Sequence, residues 1–130
     1  MKETSEEKAL IQKAIEAKDR SYSPYSRFPV GAALLTVEGE IFVGTNVENG
    51  SYGLSMCAER AAIVSAVSRG YRKFRSIAIV SNQKEPTSPC GACRQFMVEF
   101  GDFEVILVGD ERIVRTTSYE LLPFHFEMEK

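Results

Sequence analysis

Three cysteines in this 130-residue chain have the spacing of metal ligands or of a reactive thiol centre. Cys90 and Cys93 stand one helical turn apart behind a proline, in the stretch SPCGACR, and Cys57 lies 33 residues before Cys90. An odd number of cysteines fits a disulfide framework poorly, although a C-x-x-C pair alone is also typical of thioredoxin-like dithiols. Metal binding is the better use of all three side chains, because three thiolates in tetrahedral geometry suit Zn²⁺.

A carboxylate stands beside the first cysteine, since Glu59 follows Cys57 by two residues in the stretch C-A-E. Three protein thiolates leave the fourth position of a tetrahedral zinc to water, which is typical of catalytic zinc sites. A nearby glutamate can take a proton from that water and pass it to a leaving group. The order C-x-E, then P-C-x-x-C, is the all-cysteine form of the zinc deaminase motif. The sequence therefore predicts Cys57, Cys90 and Cys93 as zinc ligands and Glu59 as the catalytic residue.

Two arginines adjoin this motif, because Arg60 follows Glu59 and Arg94 follows Cys93. Zn²⁺ with three thiolates carries a net negative charge, which makes a bound water harder to ionise than at a site with neutral imidazole ligands. We expect at least one arginine to donate a hydrogen bond to a ligand sulfur and so to offset that charge. Plain surface charge is the alternative interpretation of both arginines, and Glu59 alone would most often be a solvated acid of a first helical turn.

The first elements that would support this centre are a helix and a hairpin. Thr4 lies three residues before Glu7, the spacing of a capping box, and apolar residues follow with a helical period. Two apolar runs, 30–37 and 41–47, predict a hairpin, because Gly39 between them can take the positive φ of a tight turn.

Two further helices carry the cysteines. One is expected to begin at or just before Cys57 and to end at Gly70, and the other to run from Cys90 to Gly101. Continuous apolar stretches, FRSIAIVSN and FEVILVG, predict strands, and DERIVRTT predicts a turn and a short strand. A last capping-box spacing, in TSYE, predicts a brief helix ended by Pro123.

Helices that alternate with fully apolar strands indicate crossover connections and a sheet that is covered on both faces. The sequence therefore predicts an α/β fold, a three-layer α/β/α sandwich with a mixed five-stranded sheet, as a single domain over residues 1–130. If the two cysteine-bearing helices pack side by side, their N-termini bring the three sulfurs together. The positive dipole end of each helix favours the thiolate form there.

Composition and charge exclude several classes of function. The net charge of −2 and the pI near 5.5 offer little surface for a polyanion, so no nucleic-acid polymer is expected as partner. The first residues, MKETSEEKAL, lack the apolar core of a secretory signal, and the longest apolar run falls short of the ~20 residues that cross a bilayer. We expect a cytoplasmic protein that acts on a small molecule and has no membrane partner.

The motifs FPVGAALL, NVENGSYG, CAERAA, SPCGACRQ and ELLP occur in this order, and with them the chain resembles the small homotetrameric cytidine deaminases from about Ser21 to Phe126. The resemblance implies a homotetramer with active sites at subunit interfaces. It also implies zinc-dependent hydrolysis of cytidine and 2′-deoxycytidine to uridine and 2′-deoxyuridine with release of ammonia, in pyrimidine salvage. The residues that it further implicates are Phe28 on the pyrimidine ring, Asn46 and Glu48 on the ribose, Ala58 in substrate binding, Phe126 over a neighbouring subunit's pocket, Tyr52 between subunits, and Arg60 on a ligand sulfur.

Several alternatives stay open at this point. A deaminase of another cytosine nucleoside, such as a nucleoside antibiotic, would keep the same zinc motif. A zinc-stabilised binding or RNA-editing module and a redox dithiol are alternatives from other classes. Phe28, Asn46, Glu48, Tyr52 and Phe126 each have an ordinary structural interpretation as core, turn or surface residues.

Overall fold

The computed structural model describes residues 4–130, which form three α-helices and five strands. In chain order the elements are α1 (Ser5–Lys18), β1 (Val30–Thr36), β2 (Ile41–Thr45), a 3₁₀ turn (Tyr52–Leu54), α2 (Ala58–Ser68), β3 (Phe74–Ser81), α3 (Gly91–Val98), β4 (Glu104–Val108) and β5 (Ile113–Thr117). None of these helices has both the length and the apolar character needed to cross a membrane.

The five strands form one mixed sheet in the order β2-β1-β3-β4-β5. The pairing is parallel between β3 and β4, which α3 connects, and antiparallel at the other three junctions. The hairpin of β1 and β2 turns at Gly39, whose φ of 100° is the left-handed conformation that favours glycine. Both strands are slightly shorter than predicted, since β1 ends at Thr36 and β2 at Thr45. Beyond β2, Val47 forms isolated bridges with Tyr22 and Met56 instead of continuing the hairpin.

Helices cover both faces of the sheet, which confirms the predicted three-layer α/β/α sandwich. On one face α1 packs on the sheet through a cluster that includes Leu10, Ala14, Ala33, Ala78 and Ile106. On the other face α2 and α3 pack on a larger cluster that includes Ala62, Ile63, Ile77, Met97 and Val105. The two helices that carry the cysteines therefore share one side of the sheet.

Gly44 lets α2 approach β2 closely. A Cβ atom at this position would lie 2.4 Å from both the Ala58 carbonyl oxygen and the Ala62 nitrogen. Only a glycine leaves room for the helix backbone at that distance. Ala58 is itself fully buried as the first residue of α2. The contact therefore fixes the N-terminal turn of α2, where Cys57 and Glu59 lie.

The prediction of a brief helix after β5 is wrong, because residues 118–124 form turns. The capping bond itself is present, since the Glu120 amide donates to Thr117 Oγ1 at 3.2 Å. Pro123 has no N–H, and its ring disfavours the helical conformation of Leu122 before it. Too few residues remain between the cap and the proline for more than one turn.

Candidate active site

The three cysteines converge where α2 and α3 begin. Cys57 is the N-cap of α2, Cys90 is the N-cap of α3, and Cys93 lies in the first turn of α3. Their Sγ atoms all lie within 4.8 Å of one another. Zinc–sulfur bonds of about 2.3 Å separate the sulfurs of a tetrahedral site by about 3.8 Å, so the cluster has the dimensions and the donor atoms that Zn²⁺ requires.

Hydrogen bonding within the cluster places negative charge on Cys57. The hydrogen bond with Cys93, the bond from Arg60 and the Arg60 charge lower the pKa of Cys57 to about 5, against the opposing effect of burial. The same contact with Cys57, together with burial, raises the pKa of Cys93. Zn²⁺ binds thiolates, so metal binding at this cluster would release the proton that Cys93 retains.

Arg60 contacts a sulfur, as the sequence predicts for at least one of the two arginines. Its Nη2 atom donates to Cys57 Sγ at 3.4 Å. Its Nε atom is buried and has no hydrogen-bond partner among residues 4–130. The guanidinium thus supplies positive charge directly beside the cluster.

Arg94 differs from this expectation, because its side chain bonds oxygen atoms. Nε donates to the Pro89 carbonyl at 2.9 Å, Nη1 to the Leu121 carbonyl at 2.8 Å, and Nη2 to Ser88 Oγ at 2.5 Å. The side chain extends from α3 toward the loop before Cys90 and toward the turn after β5. Adjacency to Cys93 in sequence therefore did not predict the contacts of Arg94.

Glu59 is a buried carboxyl next to the cysteines. Glu59 is only 5% exposed, although charged side chains in first helical turns are usually solvated. Burial raises the pKa of Glu59 to about 7, and the negative charge of Cys57 adds to that effect. A carboxyl with this pKa accepts and releases protons near neutral pH, which suits general acid–base catalysis.

Asn46 joins the end of β2 to the segment before β1. Its Nδ2 donates to the Phe28 carbonyl at 2.9 Å, and its Oδ1 accepts from the Val30 amide at 2.9 Å and from Ser21 Oγ at 2.5 Å. Phe28 itself is partly buried. The structure therefore places Asn46 and Phe28, predicted to contact ribose and base, in direct contact with each other.

Glu48 binds the same segment two residues further along. Oε1 accepts from the amides of Tyr25 and Ser26 at 3.0 and 3.1 Å, and Oε2 accepts from the Ser26 hydroxyl. The Ser26 hydroxyl is the main cause that lowers the pKa of Glu48, and the two amides act in the same direction. Ser21 and Ser26 escaped the sequence analysis, where the hydroxyl-rich stretch SYSPYS was the one available signal.

Tyr52 and Phe126 lie at the surface. Tyr52 is 76% exposed and packs edge-on against the ring of Tyr25, with ring centroids 6.1 Å apart. Phe126 is 66% exposed and lines a groove of about 560 Å³ at the C-terminal end of α3. The cysteines lie at the N-terminal end of this helix, so Phe126 is not brought to them within one chain.

Residues 4–109 match the family described as "Cytidine and deoxycytidylate deaminase zinc-binding region". The chain belongs to this deaminase family. It is 50% identical over 125 residues to "Probable cytidine deaminase" of Dictyostelium discoideum, a match that covers 92% of this chain and 85% of that relative. The match to the cytidine deaminase of Halalkalibacterium halodurans is also 50% identical over 125 residues and covers 92% and 93% of the two chains.

Solved structures of the deaminase family have the same fold. A crystal structure of cytidine deaminase from Burkholderia pseudomallei matches with a TM-score of 0.90 at 47% identity, covering 95% of this chain and 100% of that one. A more distant member, the "Blasticidin-S deaminase" of Bacillus cereus, is 32% identical over 126 residues, which are 90% of this chain and 89% of that relative. The predicted family, fold and enzyme class are thus confirmed, and zinc is the cofactor, with the cysteine cluster as its candidate site.

Proposed function

We propose that this chain hydrolyses cytidine and 2′-deoxycytidine to uridine and 2′-deoxyuridine with release of ammonia. The observation that carries the proposal is the buried Glu59 carboxyl beside three cysteine sulfurs that lie within 4.8 Å of one another. The 50% identity to proteins named cytidine deaminases over nearly the whole chain favours this substrate class.

The cysteines and Glu59 divide the chemistry between them. Cys57, Cys90 and Cys93 hold Zn²⁺, which when bound supplies a Lewis acid that activates water at neutral pH. Glu59 takes a proton from the water that attacks C4 of the cytosine ring. It delivers that proton to N3, then takes the second proton from the hydroxyl now on C4 and passes it to the departing amino group, so that the C4–N bond breaks and ammonia leaves.

Arg60 supports this reaction from beside the cluster. Its bond to Cys57 stabilises the thiolate and offsets the negative charge of three sulfurs around one divalent ion. Ala58, buried between Cys57 and Glu59, contributes backbone to the substrate pocket.

Asn46 and Glu48 hold the ribose hydroxyl groups, and Phe28 packs on the pyrimidine. The support is chemical, because hydroxyl groups already bond to the same acceptors: Ser21 donates to Asn46 Oδ1, and Ser26 donates to Glu48. A ribose hydroxyl makes the same type of bond and would replace the serine on each acceptor. The hydrogen bonds of the segment 21–30 therefore change when a nucleoside binds.

The assembly is a homotetramer in which Tyr52 lies between subunits and Phe126 covers the pocket of a neighbour. Its support is the exposure of both rings and the distance of Phe126 from the cysteine end of α3. We place this enzyme in the cytoplasm and in pyrimidine salvage, as one domain over residues 1–130, with no nucleic-acid polymer or membrane as partner.

The experiment pairs a metal assay with an ultraviolet assay on the purified chain. We expect one zinc per chain in the metal assay. In the ultraviolet assay we expect the absorbance of cytidine to decrease with time, a chelator to stop this decrease, and added Zn²⁺ to restore it. A chain that contains no zinc, or that contains zinc and leaves both cytidine and 2′-deoxycytidine intact, would refute the proposal.

The second candidate is deamination of a cytosine nucleoside antibiotic, which the 32% identity to a blasticidin-S deaminase supports. Turnover of cytidine, 2′-deoxycytidine and blasticidin S under identical conditions separates the two. We expect the two nucleosides to react and the antibiotic to remain, and the reverse preference would select the second candidate.

A further inference from the structure

Arg94 joins three separate parts of the chain with a single guanidinium group. It lies in the first turn of α3 and is partly buried. One edge bonds Ser88 and Pro89, which immediately precede Cys90, and the other reaches the Leu121 carbonyl in the turn after β5. Arginine suits this position because its planar fork presents several donors in fixed directions.

The bond to Pro89 acts on Cys90 through the peptide that they share. Because a peptide unit is planar, holding the Pro89 carbonyl oxygen fixes the orientation of the peptide that leads into Cys90. The Arg94 amide also donates to the Cys90 carbonyl at 3.0 Å, so Arg94 holds both peptide groups that flank this cysteine. Cys90 is the exposed member of the cluster, and its position depends on these bonds more than on packing.

The bond to Leu121 acts on the C-terminal tail, residues 118–130. Leu121 packs against the core cluster, and its amide donates to the Thr117 carbonyl at 3.1 Å. Further along the tail the His125 ring packs against Tyr119 at a tilt of 46°, with centroids 4.4 Å apart, and His125 Nε2 lies 3.1 Å from Glu127 Oε2. His125 Nδ1 also lies 3.2 Å from the carbonyl oxygen of Leu122, the residue after Leu121, and Phe126 follows His125 in the chain.

We propose that Arg94 is a positioning residue that couples the loop of Cys90 to the C-terminal tail. Losing the guanidinium frees the Pro89 carbonyl on one side and the Leu121 carbonyl on the other. Metal retention and order in the tail then decline together. The inference rests on the proposed role of the cysteines as zinc ligands, and it adds a link between the zinc site and the segment that carries Phe126.

The test compares zinc-loaded wild type with Arg94→Gln and Arg94→Lys. The rate of zinc transfer to a chromogenic chelator is measured beside amide hydrogen exchange over residues 119–127. For Arg94→Gln we expect zinc release to rise about 10- to 100-fold, the range typical when a residue that orients a metal ligand is lost. Exchange in the tail should accelerate about tenfold in the same protein, because the loss of a hydrogen bond from a charged donor makes local opening easier. Arg94→Lys keeps the charge but replaces the planar fork with a single compact ammonium group, and it should fall between wild type and Arg94→Gln in both measurements.

Arg112→Gln is the matched control. Arg112 Nε lies 2.6 Å from Oε1 of Glu85, which is on the same loop as Ser88 and Pro89. Both side chains of this pair are more than 60% exposed. An exposed pair contributes little, so this variant should release zinc and exchange its tail amides as wild type does. Circular dichroism checks that each variant is folded, and Arg94→Lys carries the test if Arg94→Gln does not fold.

Coupling requires both quantities to change together. Faster zinc release with unchanged tail exchange overturns the proposal, and so does faster exchange with unchanged zinc release, or no change in either. A wild type without zinc refutes the proposed function instead. In that event exchange over residues 88–94 and 119–127 still decides whether Arg94 links the two segments.

Discussion

Glu59 carries an ionisable carboxyl at a deeply buried position, and this burial changes its pKa. Desolvation raises its pKa to about 7, which leaves comparable amounts of acid and base near neutral pH. A structural carboxyl of this burial would normally be neutralised by a partner or replaced by an apolar residue. The proton transfer that we propose for Glu59 accounts for an ionisable carboxyl at this buried position.

Glu59→Gln keeps the size of the side chain and removes its ability to exchange a proton. We expect zinc content to remain and the turnover of cytidine to fall by about 10²- to 10⁴-fold, the usual contribution of general acid–base catalysis. Ultraviolet turnover and metal analysis on the same sample provide the measurement. Glu40→Gln, at an exposed position in the hairpin, is the control and should keep full turnover. A Glu59→Gln protein with zinc and near-normal turnover would refute the assigned role.

Glu48 stabilises the segment 24–28 through its ionised form. Hydrogen bonds from Ser26 and Tyr25 lower its pKa below the ordinary value of 4.5. A carboxyl with a lowered folded pKa stabilises the fold above its unfolded pKa, and this contribution is lost as the pH falls through the folded value. Stability that depends on Glu48 is therefore present at neutral pH and absent in strong acid.

We expect Glu48→Gln to lower the urea midpoint at pH 7, because the amide bonds the N–H donors more weakly than a carboxylate does. The difference between variant and wild type should shrink as the pH falls below about 4.5, toward the lowered folded pKa of Glu48. Urea unfolding at a series of pH values measures both effects. A difference that is constant from pH 7 to pH 3 would show that the charge of Glu48 does not contribute.

At the level of elements, local signals predicted most of the fold and the metal cluster. Thr4, Cys57 and Cys90 are helix N-caps, at the positions where the sequence predicts that helices begin. Gly39 forms the turn of the hairpin, as predicted. Capping and positive φ are set by residues within a few positions of one another, so sequence spacing is sufficient to find them. The motif spacing then placed Cys57 and Cys90 at corresponding ends of two helices.

Contacts between distant segments were beyond such signals. The bond from Arg94 to Leu121 spans 27 residues, and that from Ser21 to Asn46 spans 25. The residues adjacent in sequence do not indicate either bond, because a hydroxyl, an amide and a backbone carbonyl are common donors and acceptors on any protein surface. The helix predicted at Thr117 failed for a related reason, since a valid local cap was outweighed by Pro123 and by the path of the tail.

The contact between Gly44 and α2 gives a prediction at this scale. Gly44→Ala would place a methyl group 2.4 Å from helix backbone atoms, which cannot move aside as a flexible side chain could. We expect a loss of about 1–3 kcal/mol in the free energy of unfolding, the usual cost of overpacking, and a weaker zinc site because the N-terminus of α2 shifts. Urea denaturation and zinc release measure the two effects.

Ser68→Ala is the control for Gly44→Ala, because Ser68 is exposed at the C-terminal end of α2. This variant should unfold within about 0.5 kcal/mol of wild type, as surface substitutions commonly do. Equal stability of the Gly44→Ala protein and wild type would mean that α2 does not need its close approach to β2.

For the whole molecule, the exposed apolar residues are not evenly spread. Tyr52 and Leu54 are 76% and 71% exposed, and Tyr22, Tyr25 and Val47 are each close to half exposed in the neighbouring segments that the Val47 bridges join. Large apolar surfaces on one face of a chain usually mark an interface. This face includes the segment that holds Asn46 and Glu48, so an interface here would border the proposed ribose site.

Tyr52→Ser tests whether this face holds the proposed tetramer together. Aromatic residues contribute disproportionately to interfaces, so we expect the sedimenting mass to fall from that of four chains toward smaller species at low micromolar protein. Turnover should fall with dilution in the variant, because the proposed assembly places a neighbour's Phe126 over each pocket and a separated chain lacks it. Val37→Ser, at a 44% exposed apolar position in the hairpin, should leave mass and turnover unchanged. A wild type that sediments as one chain at every concentration and still turns over cytidine would show that each subunit's site is complete by itself.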